Sequence, residues 1–336
     1  MKVFRGFHHA DMAPECAVTI GNFDGVHRGH QAMLALLRGE AAQRGVPSCV
    51  LTFEPHPRDF FASRTGQRDT APARIGTLRD KLTDLANCGV DQTVVLPFDA
   101  RLAGQPAQDF ISTVLANGLR ARYVLVGDDF RFGVKRSGDY AMLDAAGGAQ
   151  GFDVARMNSY EVHGLRVSSS AVRDALADGR MGDVARLLGR PYRISGHVVH
   201  GRKLGRELGF HTLNLRFAHW NPAASGIFVV LVHGLHDSPL PGVANLGVRP
   251  SLDPDDVNGG RVLLETHCLL WPGQLGAEGA YGKIVRVELL HKLHGELKYD
   301  GLDALQRGIA RDCDDARAWL ASNPAQTHRQ TTRDRI

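Results

Sequence analysis

Residues 18–30, Val-Thr-Ile-Gly-Asn-Phe-Asp-Gly-Val-His-Arg-Gly-His, constrain the fold of this chain more than any other stretch. Val18-Thr19-Ile20 is a β-branched run that reads as the end of a buried strand. Gly21 and Gly25 then bracket a tight turn, where the missing Cβ lets backbone approach a ligand closely. Gln31-Ala32-Met33-Leu34-Ala35-Leu36-Leu37 reads as helix, so His27 and His30 stand at its start, one turn apart on one face. A helix N-terminus offers free N–H groups and partial positive charge, which suits phosphate. Two imidazoles on that rim are placed to hydrogen-bond a phosphoryl group as its charge builds up. A His-x-x-His pair by itself is also a solvated pair or half a metal site. The order strand, glycine turn, histidine pair, helix favours phosphate, because each piece serves one geometry.

The following segments extend this unit. Residues 49–53, 92–98 and 123–127 read as strands, and residues 78–88 and 107–117 as helices, the first with Arg79, Asp80, Lys81 and Asp84 on its outer face. Strand–helix–strand at this spacing implies a right-handed crossover, and hence an α/β fold with a doubly wound parallel sheet. Residues 1–14 read as a lead-in and 58–73 as a mobile loop. Glu54-Pro55-His56-Pro57 follows a strand end, where open α/β sheets bind ligands; the prolines would aim His56 outward, a loop cap being the alternative. Gly127-Asp128-Asp129-Phe130-Arg131 carries charges that are costly to bury for packing alone, and suits a Mg²⁺-nucleotide or ribose, or is a charged turn. Ser168-Ser169-Ser170 precede a helix at 171–178. One serine caps it, and the three hydroxyls with Arg173 would make a pyrophosphate clamp.

Beyond residue 186 the pattern changes to short β runs, at 192–199, 226–232, 242–246, 262–269 and 284–290, between Gly/Pro/Asn turns. That predicts a small antiparallel β-barrel. A terminal helix at 302–320 follows, with Leu302, Leu305, Ile309 and Trp319 as its apolar points, then a polar tail at 322–336 that reads as disordered. Residues 201–214 interleave glycine with base, as polyphosphate binding would require, or form a glycine-rich hairpin. Thr212 and Asn214 lie two apart, so in an extended segment both oxygens point one way and offer hard ligands to Mg²⁺. Glu265 sits in an apolar strand, either paired structurally or acting as a base.

Composition excludes several classes. A net charge of +4 over 336 residues, with no long Lys/Arg block, argues against a nucleic-acid partner and is compatible with anionic small substrates. No apolar run approaches the ~20 residues of a membrane span, and no signal peptide is visible. The five cysteines are widely spaced without a C-x-x-C, which favours free thiols in a reducing cytoplasm. Oligomeric state leaves no trace in the sequence.

The string Gly-Asn-Phe-Asp-Gly-Val-His-Arg-Gly-His resembles the signature of the adenylyl-transferring α/β nucleotidyltransferases. Among them it is similar to the bacterial bifunctional riboflavin kinase/FAD synthetases. Ser168-Ser169-Ser170-Ala171-Val172-Arg173 resembles that family's Ser-Ser-Thr-x-Ile-Arg, with Ser170 and Val172 substituted. Gly-Phe-His-Thr-Leu-Asn at 209–214 is similar to the flavokinase pattern Gly-Phe-Pro-Thr-Ala-Asn, with His211 for Pro and Leu213 for Ala. Residues 242–250, 264–267 and 281–283 also resemble kinase-module strings, and His294 stands where the family usually has Arg.

The resemblance spans roughly residues 18–320 and implies an FMN adenylyltransferase domain at 1–185, a riboflavin kinase barrel at 186–321 and a tail at 322–336. It implies that the barrel phosphorylates riboflavin and that the α/β domain adenylylates FMN to FAD, each with ATP and Mg²⁺. His27 and His30 would then stabilise the transferring phosphoryl group. Gly21, Phe23, Asp24, Gly25, Asp129, Ser168, Ser169 and Arg173 would bind ATP and its pyrophosphate. In the barrel, Gly201, Lys203, Gly205 and Arg206 would wrap the ATP phosphates, and Thr212 and Asn214 would hold the metal. Glu265 would take the proton from the riboflavin 5′-hydroxyl, and His56, Asn245 and Arg249 would contact flavin. A synthetase with an impaired kinase module, a different nucleotidyltransferase and a flavin-binding regulator are the competing readings.

Overall fold

The computed structural model describes every residue except 68–69, 159, 163–164, 202–209, 211, 217–220, 249–261, 277 and 328–336. The chain folds into two compact units, one of Met1–Pro72 and Lys81–Ser168, the other of Ala73–Asp80 and Ser169–Ile336.

The first unit is built on a six-stranded parallel sheet. Its elements run β1 (Lys2–Arg5), β2 (Cys16–Ile20), α1 (Arg28–Arg44), β3 (Ser48–Glu54), α2 (Pro57–Arg64), the part of α3 (Leu78–Asn87) from Lys81 on, β4 (Gln92–Pro97), α4 (Ala100–Ala103), α5 (Ala107–Phe110), β5 (Ala121–Gly127), α6 (Tyr140–Gln150) and β6 (Asp153–Met157). A short antiparallel pair, β7 (Glu161–Val162) and β8 (Leu165–Arg166), follows. A π-helix, Ile111–Gly118, continues α5. The spatial order β1-β4-β3-β2-β5-β6 puts the reversal of strand order at β2. Ligands of open α/β sheets sit outside the C-terminal ends of strands at such a switch point.

All five residues of β2 are buried, because both faces of the sheet are covered. Cys16, Val18 and Ile20 join a core with Phe110, Ile111, Leu115 and Leu143 from α5, its π continuation and α6. Ala17, on the opposite face, packs with Leu37 and Ala41 of α1. Gly45 ends α1 in the left-handed region at φ 66°, donating to the carbonyls of Ala41 and Ala42.

Three expectations change here. The first residues are not a mere lead-in, since Lys2–Arg5 pairs with β4 as the sheet's edge strand. Residues 57–64 are helix rather than loop, with Pro57 at a first-turn position where its missing N–H costs nothing. His56 caps that helix instead of pointing outward: its Nδ1 accepts from the Arg58 N–H at 3.1 Å, and the residue is buried.

The second unit opens with residues 73–80 and two helices, α7 (Ser169–Ala177) and α8 (Met181–Leu188). A closed antiparallel barrel follows: β9 (Tyr192–Val199), β10 (Thr212–Arg216), β11 (Gly226–His233), β12 (Leu240–Val248), β13 (Val262–Cys268) and β14 (Ile284–His294), in the order β10-β13-β12-β11-β14-β9. The segment Thr212–Arg216 supplies the sixth strand. Closure removes the open edges that an isolated sheet would expose. Phe228, Val230, Leu264, Val285 and Val287 are fully buried. Helix α9 (Leu302–Ser322) lays Cys313, Ala316 and Leu320 on the outer face of the barrel against Val229 and Val243. Leu302, expected on the apolar face, is 53% exposed. Pro324–Thr327 makes a further helical turn, α10, where an irregular tail was expected; the tail's remainder lies outside the described residues.

Candidate active sites

The turn joining β2 to α1 is the centre of the first unit. Gly21 N–H donates to the Leu51 carbonyl at 3.1 Å, tying the turn to β3. Phe23 and Val26 adopt φ 48° and 39°, and Gly25 φ 85°. Positive φ is a genuine outlier for a β-branched residue. Burial enforces it: Phe23 and Val26 are 1% and 0% exposed in a core with Leu34, Val50, Leu85 and Val90. Strain of ~1–3 kcal/mol per such residue persists where surrounding structure over-determines it, as at ligand clamps.

The result of that turn is a histidine stack. His27 is the N-cap of α1, and its Nδ1 accepts from the His30 N–H at 3.3 Å. A neutral His27 therefore carries its proton on Nε2. The His27 and His30 rings lie 3.6 Å apart at 15°, with Phe23 tilted against His30 at 4.9 Å. Burial pushes His30 well below the ordinary histidine range, and the charges of His27 and Lys81 push it the same way. Its Nδ1 is shut off from solvent without a hydrogen-bond partner, although part of the residue remains accessible. Gly29 admits the stack, since a Cβ there would lie 3.2 Å from the His27 ring and 3.4 Å from the Val167 carbonyl. That carbonyl immediately precedes Ser168, so the serine motif begins beside the first turn of α1.

The remaining expected residues of this unit fall around the same strand ends. Asp24 is 2% exposed within the turn. Asp129 is exposed in the turn after β5, the strand that neighbours β2. In the second unit, Ser169 opens α7, and the Arg173 Nε donates to the Ala73 carbonyl at 2.6 Å.

Sequence reasoning missed one residue here. Lys81, expected on a solvated helix face, is 3% exposed, and Asp80 and Asp84 are also buried. The Lys81 ammonium lies 3.4 Å from the Thr52 hydroxyl and 4.0 Å from the Glu54 carboxylate. Charged residues on one helix face read as exposed unless the covering elements are known.

The barrel carries the second constellation. Asn214 of β10 and Asn245 of β12 pair directly with Glu265 of β13, one from each side. Directly opposed residues share a face, so the three form one row on the outer surface of the barrel. Thr212 and His267 form the adjacent pair of that face. Asn214 Oδ1 and Asn245 Oδ1 are both buried without a donor. Gly201 lies against the Asn214 amide, where a Cβ would sit 2.8 Å from Cγ. Leu213, one residue along, is 3% exposed and faces Thr266 inside the barrel. Lys203, Gly205, Arg206, His211 and Arg249 lie outside the described residues.

His294 ends β14 with both ring nitrogens facing oxygens, Nδ1 to the Gly295 carbonyl at 2.7 Å and Nε2 to Asp312 of α9 at 2.9 Å. Two acceptors require two N–H groups, and hence the imidazolium. Burial pushes His294 down, but the Asp312 and Gly295 hydrogen bonds outweigh it and hold its pKa above the ordinary value. Among the described residues no cluster of three or more His, Cys, Asp or Glu is arranged to hold a metal, and no helix is long and apolar enough to cross a membrane.

Comparisons with known proteins place two family models on the chain. Residues 9–171 match the family model described as FAD synthetase, and residues 188–320 the one described as riboflavin kinase. The bifunctional riboflavin kinase/FMN adenylyltransferase of Escherichia coli K12 is 45% identical over 93% of this chain and 96% of its own length. That of Haemophilus influenzae is 41% identical over 96% of this chain and 100% of its own. A crystal structure from Streptococcus pneumoniae, described as a macrolide-efflux protein, has the same fold at a TM-score of 0.72 with 25% identity, over 95% of this chain and 100% of that one. With both modules matched and such relatives aligned nearly end to end, the chain belongs to the family of bifunctional riboflavin kinases/FMN adenylyltransferases.

Proposed function

We propose that the two activities of the family divide between the two constellations, with residues 1–185 making FAD, residues 186–321 making FMN, and 322–336 a tail outside both. The chain phosphorylates riboflavin with ATP and then adenylylates FMN with a second ATP, releasing pyrophosphate. Compactness divides the chain elsewhere, at Ser168 and around 73–80, because α7 and α8 cluster with the barrel.

In adenylyl transfer a phosphate oxygen of FMN attacks the α-phosphorus of ATP, and the bond to the bridging oxygen of pyrophosphate breaks. No protein nucleophile is needed, so catalysis is positioning and charge stabilisation. His27, its proton fixed on Nε2, and His30 donate to the phosphoryl oxygens. Gly21, Phe23, Asp24 and Gly25 shape the turn that receives the nucleotide. Asp129 meets its ribose or metal, Ser168 and Ser169 bind the leaving pyrophosphate, and Arg173 neutralises it. The observation that carries this reading is the stacked histidine pair on a strained turn at the switch point of the sheet.

In the barrel, Glu265 takes the proton of the riboflavin 5′-hydroxyl as it attacks the γ-phosphorus of ATP, and ADP leaves. Thr212 and Asn214 suit Mg²⁺: a hydroxyl and a buried amide oxygen without a donor are hard ligands. Bound there, the ion would neutralise charge on the phosphates. Gly201, Lys203, Gly205 and Arg206 wrap those phosphates, while Asn245 and Arg249 contact the flavin of the kinase. His56 contacts FMN in the first unit through the part of its ring not used in capping α2. Five free thiols suit a reducing cytoplasm.

His30→Ala tests the division. FAD formation from FMN should fall by on the order of 10²–10³ while riboflavin phosphorylation continues. Undiminished FAD formation would overturn the assignment.

A further inference from the structure

The buried lysine of α3 has no role in the assignments above. Lys81 is 3% exposed, and its ammonium is braced by the Thr52 hydroxyl at 3.4 Å and the Glu54 carboxylate at 4.0 Å. Those two residues form the C-terminal end of β3, the strand beside β2. Thr52 in turn donates to the Asn22 carbonyl at 3.3 Å, so the lysine is coupled to the histidine-bearing turn through one hydroxyl. Burying an ammonium costs several kcal/mol unless it is compensated. A lysine needed only for packing would be replaced at lower cost by an apolar side chain of similar volume.

We propose that Lys81 is a positioning residue for adenylyl transfer: its ammonium, held by Thr52 and Glu54 at the end of β3 and linked through the Thr52 hydroxyl to the turn that carries the histidines, supplies a fixed positive charge to His30. This rests on the histidine assignment made above. The charges of His27, from its own turn, and Lys81, from α3, act on His30; Glu54, from β3, faces Lys81. A fixed cation disfavours a second cation nearby, so His30 is held in its neutral form. The His30 ring then keeps one lone pair and one N–H rather than two N–H groups. When the triphosphate binds, its negative charge offsets Lys81, and the rings donate to it with the lysine charge still in place. The cation thus serves the phosphates while barring premature protonation of His30.

The test uses the full-length protein and the variants Lys81→Gln, Lys81→Met and Lys81→Arg. Glutamine keeps hydrogen-bond reach to Thr52 without the charge. In both neutral variants kcat/KM for FMN adenylylation should drop by on the order of 10²-fold. Its acid limb should also move to higher pH, because without the neighbouring cation His30 protonates more easily. Riboflavin phosphorylation should stay unchanged, and Lys81→Arg should restore the acid limb. Ring titration of His30 by NMR should show the same upward shift without any turnover. An acid limb and histidine titration that stay in place in both neutral variants would overturn the proposal, as would loss of activity in all three variants with unfolding of the first unit. A silent His30→Ala would instead remove the histidine assignment itself, whereas an inactive His30→Ala beside a wild-type-like Lys81→Gln removes only the lysine's role.

Discussion

Replacing Glu265 by Gln should make the barrel more stable and the kinase nearly inactive. The reason lies in the row Asn214–Glu265–Asn245, whose members are directly opposed across β10, β13 and β12. Both asparagine Oδ1 atoms are buried without a donor, and a carboxylate between them can only accept. Cβ atoms of directly opposed residues lie ~4.5–5.5 Å apart, within reach of a side-chain amide. Glutamine keeps the shape of the side chain, removes a negative charge and offers two N–H groups to the orphaned oxygens. Each net hydrogen bond is worth ~0.5–1.5 kcal/mol. Loss of the charge from its other interactions offsets part of this, so a net gain of about 1 kcal/mol is expected, which raises Tm by ~2–4 °C for a unit of this size. Removing a general base should meanwhile cost ~10²–10⁴ in rate, or ~2.7–5.5 kcal/mol of transition-state stabilisation. The assay separates riboflavin, FMN and FAD chromatographically after incubation with ATP and Mg²⁺, alongside a thermal melt. FAD formation from added FMN is the internal control and should be unchanged. A variant that phosphorylates riboflavin at the wild-type rate refutes the base. One that melts lower refutes the account of the unsatisfied acceptors.

Gly201→Ala would set a Cβ 2.8 Å from Asn214 Cγ, so the amide must move; riboflavin phosphorylation should fall about tenfold, the factor that ~1.4 kcal/mol represents, with FAD formation from FMN intact, and an unaffected kinase would refute the need for that amide position. The His294–Asp312 pair predicts a pH effect of known sign. His294 has a raised pKa in the fold, so its contribution is fully present below its unfolded value and is lost as pH rises through the folded one. With its side chain 29% exposed, the pair is worth at most ~1 kcal/mol; the second unit should unfold more readily as pH climbs through that window, and His294→Asn should flatten the dependence. A wild-type melting profile that rises over the same window would contradict the imidazolium.

The parallel sheet and the barrel were legible because their strands announce themselves locally. Residues 49–53 and 93–96 are continuous β-branched and apolar runs, as buried strands must be, and the barrel strands are short β runs set off by Gly/Pro/Asn turns. The histidine pair was legible for a related reason, since turn, cap and helix are adjacent in the chain. Helix α2 was not, because Pro55 and Pro57 read as a loop although Pro57 sits where a helix tolerates it. Lys2–Arg5 was missed because a four-residue edge strand is defined by its partner β4 and not by its own pattern.

What the sequence determined by itself is therefore the set of features made within a few residues: the strand-to-helix turn, the histidine pair at the helix start, the short β runs of the barrel. Only the tertiary structure decided which distant groups share an environment. It buried the Lys81 ammonium against Thr52 and Glu54, set Glu265 between two orphaned amide oxygens, and gave His294 the Asp312 carboxylate of α9. Charge state depends on neighbours in space and on the solvent they exclude, and neither is encoded at the position of the residue that titrates.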